Sequence, residues 1–414
     1  MSHTELLDWI ERDRTELIEF LRNFVRQKGP NPPGDTRTTA DFITRTLDQQ
    51  GLTYRVIAPQ PEMPNIVASF EGGSPGRHLV LNGHIDVFPV ADDGLGWTRD
   101  PWGGELIDGK IYGRGVADMK CGTTASIFTF IYLSRIRDRL KGRLTLTAVS
   151  DEETFGPNGT RYLMEHHPEV HGEALLNGEP SGPFSVRFGE KGPLWIEFTV
   201  LTRGAHGAYT HASKSATKTA MALAAALEKL TEINPELPDN IRKAIDAGRA
   251  TMDRVMGAGA GAIVDKVTLN IGTIRGGVKV NMVPSSATFE ADIRLPVGVS
   301  REQVLEQIGK IMKAFPEASM KEENCNLPSW VDPNCDIIEI VQNTVEQLRG
   351  FRPTPIVSLG GTDARLWRYR NIPACVYGPF PYGMGSCDEH VEVEEFLHVV
   401  RTHVLSAFDY LTRS

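Results

Sequence analysis

Acids and histidines stand at the ends of several apolar runs in this chain. His84 and Asp86 follow the run His78–Leu81, and Asp151, Glu152 and Glu153 follow Leu144–Val149. Glu179 follows Ala174–Gly178, Asp118 precedes the apolar stretch Thr123–Leu133, and His390 lies between a late apolar run and the closing segment. Carboxylates gathered in one crevice repel each other and lift their pKa values unless a cation sits among them. Two imidazoles, several carboxylates and no thiolate form a mixed nitrogen and oxygen donor set. That set suits zinc, with cobalt or manganese as substitutes. Five ligands exceed what one zinc takes from protein, so two divalent ions bridged by one carboxylate are expected. Each residue alone has a plainer reading. A histidine at a strand end hydrogen-bonds, and consecutive acids such as Asp151–Glu153 form a solvated turn or a helix N-terminus. Their joint placement after successive strands carries the metal reading.

The elements that must position these groups follow from apolar spacing. Leu6, Leu7, Ile10, Leu17, Phe20, Leu21 and Phe24 share one face of a helix over 4–27, which Pro30–Gly34 stops. A second helix over 37–50 ends at Gly51, where glycine is favoured. His78–Leu81, Leu144–Val149, Glu173–Leu176 and Ala374–Tyr377 read as strands. Thr123–Leu133 is apolar nearly all round, as in a helix packed against a sheet, and Val393–Leu411 is a closing amphipathic helix. Strands alternating with helices predict an α/β fold, a mostly parallel sheet flanked by helices, with ligands at the carboxyl ends of its strands. The middle differs: strand 194–201, helix 213–230, strands 266–275 and 285–295, helix 300–315 and strand 318–324. That order predicts an inserted βαββαβ domain. The chain thus divides into 1–191, a first catalytic part; 192–325, a lid or dimerisation domain; and 326–414, a second catalytic part. Within the insertion, 231–265 with its Gly257–Ala262 run reads as helix plus mobile loop.

Composition narrows the function. The chain has 414 residues, 44 Lys and Arg against 53 Asp and Glu, a net charge of −9. An acidic chain without a basic cluster is a poor match for nucleic acid. Five cysteines cannot all pair and none forms a CxxC, so neither a disulfide scaffold nor a thiolate zinc site is indicated. Cys121, beside the Asp118 stretch, reads as packing. The first residues lack the apolar core of a signal peptide and no apolar run is long enough to span a membrane. The expectation is a cytoplasmic protein with no nucleic acid or membrane partner.

The ordered motifs are specific. They run Gly83-His84-Ile85-Asp86-Val87, Trp97-x-x-x-Pro101, Asp108-Gly109-x-x-Tyr112-Gly113-Arg114-Gly115-x-x-Asp118-x-Lys120-x-Gly122, Asp151-Glu152-Glu153 and Gly178-Glu179-Pro180-Ser181. The set resembles the co-catalytic zinc metallopeptidase family of succinyl-diaminopimelate desuccinylase, acetylornithine deacetylase, aminoacylase and carboxypeptidase G, from about residue 15 onward. The resemblance implies that His84 and Glu179 hold one ion, Glu153 and His390 the other, and that Asp118 bridges them. It implies that Asp86 accepts the free ring N–H of His84 and that Glu152 is the general base. Gly204–Tyr209 resembles the lid motif whose histidine, here His206, reaches into the active site of a second copy. The family usually has proline where Thr210 stands. Asn281, Arg294, Gly361 and Thr362 resemble residues that bind substrate, Arg294 through a two-pronged contact with a carboxylate.

The implied activity is hydrolysis of an amide bond in an N-acyl amino acid or small peptide-like substrate. Glu152 would take a proton from water and return it to the departing amine, and His206 would stabilise the oxyanion. A homodimer through the inserted domain is implied with it. The competing readings are a dipeptidase, an aryl-amide or xenobiotic amidohydrolase, and a non-catalytic relative on the same scaffold. A two-metal phosphatase lacks its arginine-rich clamp.

Overall fold

A computed structural model describes residues 2–91 and 95–413. It divides the chain into two compact units. One comprises Met1–Phe188, Val331–Ile356 and Thr362–Ser414; the other comprises Gly189–Trp330 and Val357–Gly361.

In the first unit the apolar runs become a mixed α/β sheet. Its neighbours run Tyr54–Ile57, Asn65–Glu71, Lys141–Val149, Ser74–His84, Ala174–Asn177, Ala374–Val376 and Ser185–Glu190. The centre is parallel: Ser74–His84 pairs in parallel with Lys141–Val149 and Ala174–Asn177, which in turn pairs in parallel with Ala374–Val376. Both flanks turn antiparallel, an edge that the alternation of strands and helices did not reveal. The parallel register brings the carboxyl ends of three strands together, so His84, the Asp151 turn and Glu179 leave the sheet side by side.

The helix Cys121–Ser134 is buried from Cys121 to Leu133, as its all-round apolar sequence predicts. It packs against the closing helix Val393–Thr412. Fully burying each of its large apolar side chains contributes roughly 1.5–3 kcal/mol. Its start needs glycine: a Cβ on Gly122 would lie 2.0 Å from the Gly178 carbonyl oxygen. That close approach joins the Asp118 segment to the Glu179 segment. The predicted 4–27 helix is two, His3–Arg12 and Arg14–Arg26, divided at Asp13, whose carboxylate accepts from Arg12 and from the Tyr132 hydroxyl.

The second unit has the βαββαβ order. Its antiparallel sheet runs Thr268–Gly276, Ser286–Leu295, Gly192–Leu201 and Ala318–Cys325. The helices Ala216–Leu227 and Arg301–Met312 contribute to one apolar core with it, where Phe198 and Phe289 stack at 4.8 Å. The expected helix within 231–265 is Asp239–Met256, 18 residues long, preceded by an irregular segment at 233–238 and followed by a short helix, Ala260–Ile263. The glycines only shape the turn between them. Gly257 and Gly259 take positive φ, and the Asp253 carboxylate accepts from the Gly259 and Gly261 N–H groups. Among the described residues, no helix is long and apolar enough to cross a membrane.

Candidate metal centre

His84 ends its strand with the ring buried. Nδ1 lies 2.8 Å from the Asp86 carbonyl oxygen. With Nδ1–H donating there, Nε2 keeps its lone pair. Nε2 faces two carboxylates, Asp118 Oδ1 at 3.2 Å and Glu179 Oε1 at 3.4 Å. Ligand atoms of His84, Asp118 and Glu179 all lie within 4.8 Å of one another. The expected partner of the His84 ring differs. The Asp86 carboxylate is 3.6 Å from Nδ1, because its oxygens are engaged elsewhere. They accept from the backbone N–H groups of Glu152 and Glu153 at 3.3 and 3.1 Å and from Asn31 Nδ2 at 2.9 Å.

The acidic turn after Val149 is therefore tethered by its backbone. Asp151 sits at φ 66°, a conformation that Asp tolerates better than bulky residues. Its carboxylate accepts from Asn31 Nδ2, the Thr154 hydroxyl and both nitrogens of Asn158. Asn31 thus donates to Asp86 and Asp151 together. Sequence reasoning missed it, seeing only a helix stop in Pro30–Gly34. Glu389 was missed as well. It is fully buried, ion-pairs with Arg114 at 2.6 Å and accepts from the Ala117 and Asp118 N–H groups at 2.9 and 3.2 Å. It fixes the backbone that carries the Asp118 carboxylate.

His390 lies outside that three-residue group. Its strand, His390–Glu392, pairs with Lys110–Tyr112. Glu389 and Val391 are fully buried and His390 is half-buried. Its ring stacks on Tyr382 at 4.9 Å and 9°, lies 5.0 Å from Tyr112, and its Nδ1 is 2.9 Å from the Asp388 carbonyl oxygen.

The remaining site residues divide between the units. In the first, Thr362 is buried and its carbonyl accepts from Arg365 Nη1 at 2.5 Å. Its neighbour Asp363 accepts from the Thr160 hydroxyl. Arg365, another residue missed, is buried 3.6 Å from Glu152 Oε1 and lies over the Phe155 ring. In the second unit, His206 pairs with Met282 across a two-residue ladder, and Gly207 N–H donates to the Asn281 carbonyl, so these two motifs meet. The His206 and Asn281 side chains are exposed. Arg294 binds Asp292 through its Nε and Nη2 edge, and Trp195 Nε1 pins Asp292 at 3.1 Å. A two-pronged substrate contact would have to use the other guanidinium edge. Gly361 is part-buried.

Burial leaves the acids of the first unit with too little positive charge. It lifts the Glu179 carboxyl to about 7, with Asp118 adding to the effect. It lifts Glu153 well above the usual carboxylate range, again with Asp118, and Glu152 likewise, with Asp363 and Glu179. Burial opposes the His84 cation, yet Asp118 and Glu179 hold its pKa well above the ordinary value. Oε1 of Glu152 and Oε1 of Glu153 are buried without a hydrogen-bond partner, each an arrangement costing about 1–3 kcal/mol or more when nothing compensates it. A buried imidazole lone pair facing carboxylates, with orphaned oxygens alongside, fits a divalent cation.

Residues 80–408 match the family model for peptidase family M20/M25/M40. The chain belongs to this family. It is similar to succinyl-diaminopimelate desuccinylases: 29% identical over 389 residues, 91% of each chain, to that of Cereibacter sphaeroides strain ATCC 17025. The Rhodospirillum centenum desuccinylase is 30% identical over 92% of this chain and 94% of its own. In fold, the chain resembles the M20 metallo-carboxypeptidase Sso-CP2 from Sulfolobus solfataricus, with TM-score 0.83, 17% identity and 96% and 100% of the two chains covered. Human carnosine dipeptidase 1 matches at TM-score 0.75 and 15% identity over the full length of both. This M20 protein is a hydrolase of amide bonds in acylated amino acids or peptides. The family is metal-dependent, and His84, Asp118 and Glu179 form a cluster that could hold an ion.

Proposed function

We propose that this M20 hydrolase is a zinc-dependent deacylase or carboxypeptidase that cleaves the amide bond of an N-acyl amino acid or small peptide-like substrate. His84, Asp118 and Glu179 hold the ion through one nitrogen and two oxygen atoms. Glu153 and His390 would hold a second ion, with Asp118 shared. When bound, the metal supplies Lewis acidity and water acidic enough to ionise near neutral pH.

Glu152 is the general base. It takes the proton of the attacking water and delivers it to the departing amine. The observation that carries this role is its buried Oε1, which has no hydrogen-bond partner, next to a tether at its own N–H. The tether fixes the backbone, and Oε1 lies 3.6 Å from the Arg365 guanidinium without a hydrogen bond. Arg294, held by Asp292, binds a substrate carboxylate, with Asn281, Gly361 and Thr362 completing the substrate contacts. The partner subunit's His206 stabilises the oxyanion in a homodimer formed through the second unit. Val278 and Val280, 92% and 100% exposed there, support a surface that is covered in the working assembly. A cytoplasmic setting belongs to the same reading.

The test is a released-amine assay of the zinc-loaded protein against N-acyl amino acids, dipeptides and aryl amides. Turnover of acyl amino acids, lost in Glu152→Gln with metal retained, is the expected result. Turnover of none of the three classes, or a Glu152→Gln variant at full rate, overturns it. Mixing His206→Ala with Glu152→Gln subunits should restore part of the activity; well-mixed heterodimers without rescue place His206 outside the reaction.

A further inference from the structure

We propose that Phe155 and Arg365 are positioning residues for the general base: the Phe155 ring carries the Arg365 guanidinium, which sets the direction of the Glu152 carboxylate. This rests on the base role given to Glu152 above and adds the side chains through which that role is set up.

The acidic turn is strained at both ends. Asp151 takes φ 66° and Phe155 takes φ 52°. The second is the costlier, because a bulky side chain rarely adopts the left-handed region that glycine enters freely. The turn is closed by backbone hydrogen bonds, Phe155 N–H to the Glu152 carbonyl at 2.7 Å and Gly156 N–H to the Asp151 carbonyl at 2.9 Å. A phenylalanine held at such a φ needs a reason, and its ring supplies one. The guanidinium carbon of Arg365 lies over it, 4.8 Å from the ring centre. A buried cation over an aromatic face is held there by the ring's electron density.

Arg365 is itself buried. Its Nη1 donates to the Thr362 carbonyl at 2.5 Å and stands 3.6 Å from Glu152 Oε1 and 3.9 Å from Asp363 Oδ1. Asp363 accepts from the Thr160 hydroxyl. The ring and the Thr362 carbonyl therefore fix the cation, and Glu152 lies within its Coulombic reach but outside hydrogen-bond distance. At that separation the cation biases which way the carboxylate faces without using its acceptor capacity. Thr362 is one of the proposed substrate contacts, so the same guanidinium keeps the base in register with the substrate loop. Orientation of this kind is worth much to a reaction: a misplacement of about 1 Å can cost on the order of 10²-fold.

The experiment measures kcat and KM for the N-acyl amino acid turned over fastest by the zinc-loaded protein, with retained zinc, in Phe155→Gly, Phe155→Tyr, Arg365→Met, Arg365→Lys and Glu152→Gln. Arg365→Met should lower kcat by on the order of 10²-fold, and Arg365→Lys should recover part of it, since lysine keeps the charge but not the planar fork. Phe155→Gly should lower kcat by a smaller factor with KM and zinc unchanged. Glycine suits the turn, so this variant decides the question if Arg365→Met fails to fold. Phe155→Tyr keeps the ring and should keep the rate. Full kcat in Phe155→Gly, zinc lost from it in step with kcat, or a Phe155→Tyr as impaired as the glycine variant overturns the inference while an inactive Glu152→Gln leaves the proposed function standing. Glu152→Gln at full rate, or no turnover by the unaltered protein, overturns both.

Discussion

Two histidines in the same unit stand at strand ends, His84 closing one and His390 opening another, in different surroundings. His84 ends a parallel central strand, where the sheet delivers every side chain to the crevice that the neighbouring strands also open into. Its ring nitrogens are divided between the Asp86 carbonyl and two carboxylates. His390 begins a short antiparallel strand of a three-stranded sheet and stacks on tyrosine. Both rings have Nδ1 at a backbone carbonyl, Asp86 for His84 and Asp388 for His390, which leaves Nε2 as the atom for a cation. The difference is in their neighbours: carboxylates beside His84, tyrosine rings beside His390.

The sharpest test of that contrast is the pair Glu152→Gln and His84→Ala. Glu152→Gln should cost on the order of 10²–10⁴-fold in kcat, with dialysis-resistant zinc unchanged. His84→Ala should abolish that zinc, measured by metal analysis. If His84→Ala retains zinc, His84 is not the nitrogen ligand of that ion.

The next effect concerns the residues that hold the His84 side together. Glu389→Gln and Asn31→Ala should each weaken zinc binding by about 10–100-fold, as removal of outer hydrogen-bond partners does at metal sites. Competition with a chromogenic chelator reads this out. Unchanged affinity in both would mean that Asp118 and the acidic turn hold their places unaided.

A smaller effect is the pH dependence of the metal-free protein. The folded-state pKa of Glu179 is raised by burial to about 7, above its ordinary value of 4.5. Its protonated form therefore favours the folded chain. That contribution is present at acid pH and is lost as pH rises from about 4.5 through 7. Thermal melts of the metal-free protein should fall over this window, and added zinc should remove the slope. A flat metal-free profile would contradict the burial argument. The smallest expected effect is on the other side: Tyr382→Leu should cost about 0.5–1.5 kcal/mol of stability through lost ring packing, with zinc content unchanged.

Much of this was legible beforehand. The strands ending at His84, before Asp151 and before Glu179 are short apolar runs, and the helix at 121–134 declares itself by being apolar on all sides. The inserted domain shows its strand and helix order. Other features were hidden for physical reasons. Asn31 acts through two side-chain hydrogen bonds to residues 55 and 120 positions away, contacts that leave no local pattern. Glu389 and Arg365 are buried charges whose partners lie elsewhere in the chain. The Gly257–Ala262 run looks like a flexible linker because composition cannot show the Asp253 carboxylate that caps it.

Glu389 also has a consequence for when the protein matures. It secures the Asp118 backbone from a point near the carboxyl terminus, while His84 and Glu179 come from the first half of the chain. A ribosome-bound chain that has not yet exported residue 389 has its nitrogen donor in hand and its shared carboxylate unanchored. Firm capture of the cation therefore awaits synthesis of residue 389, and a chain cut just before it should hold metal poorly.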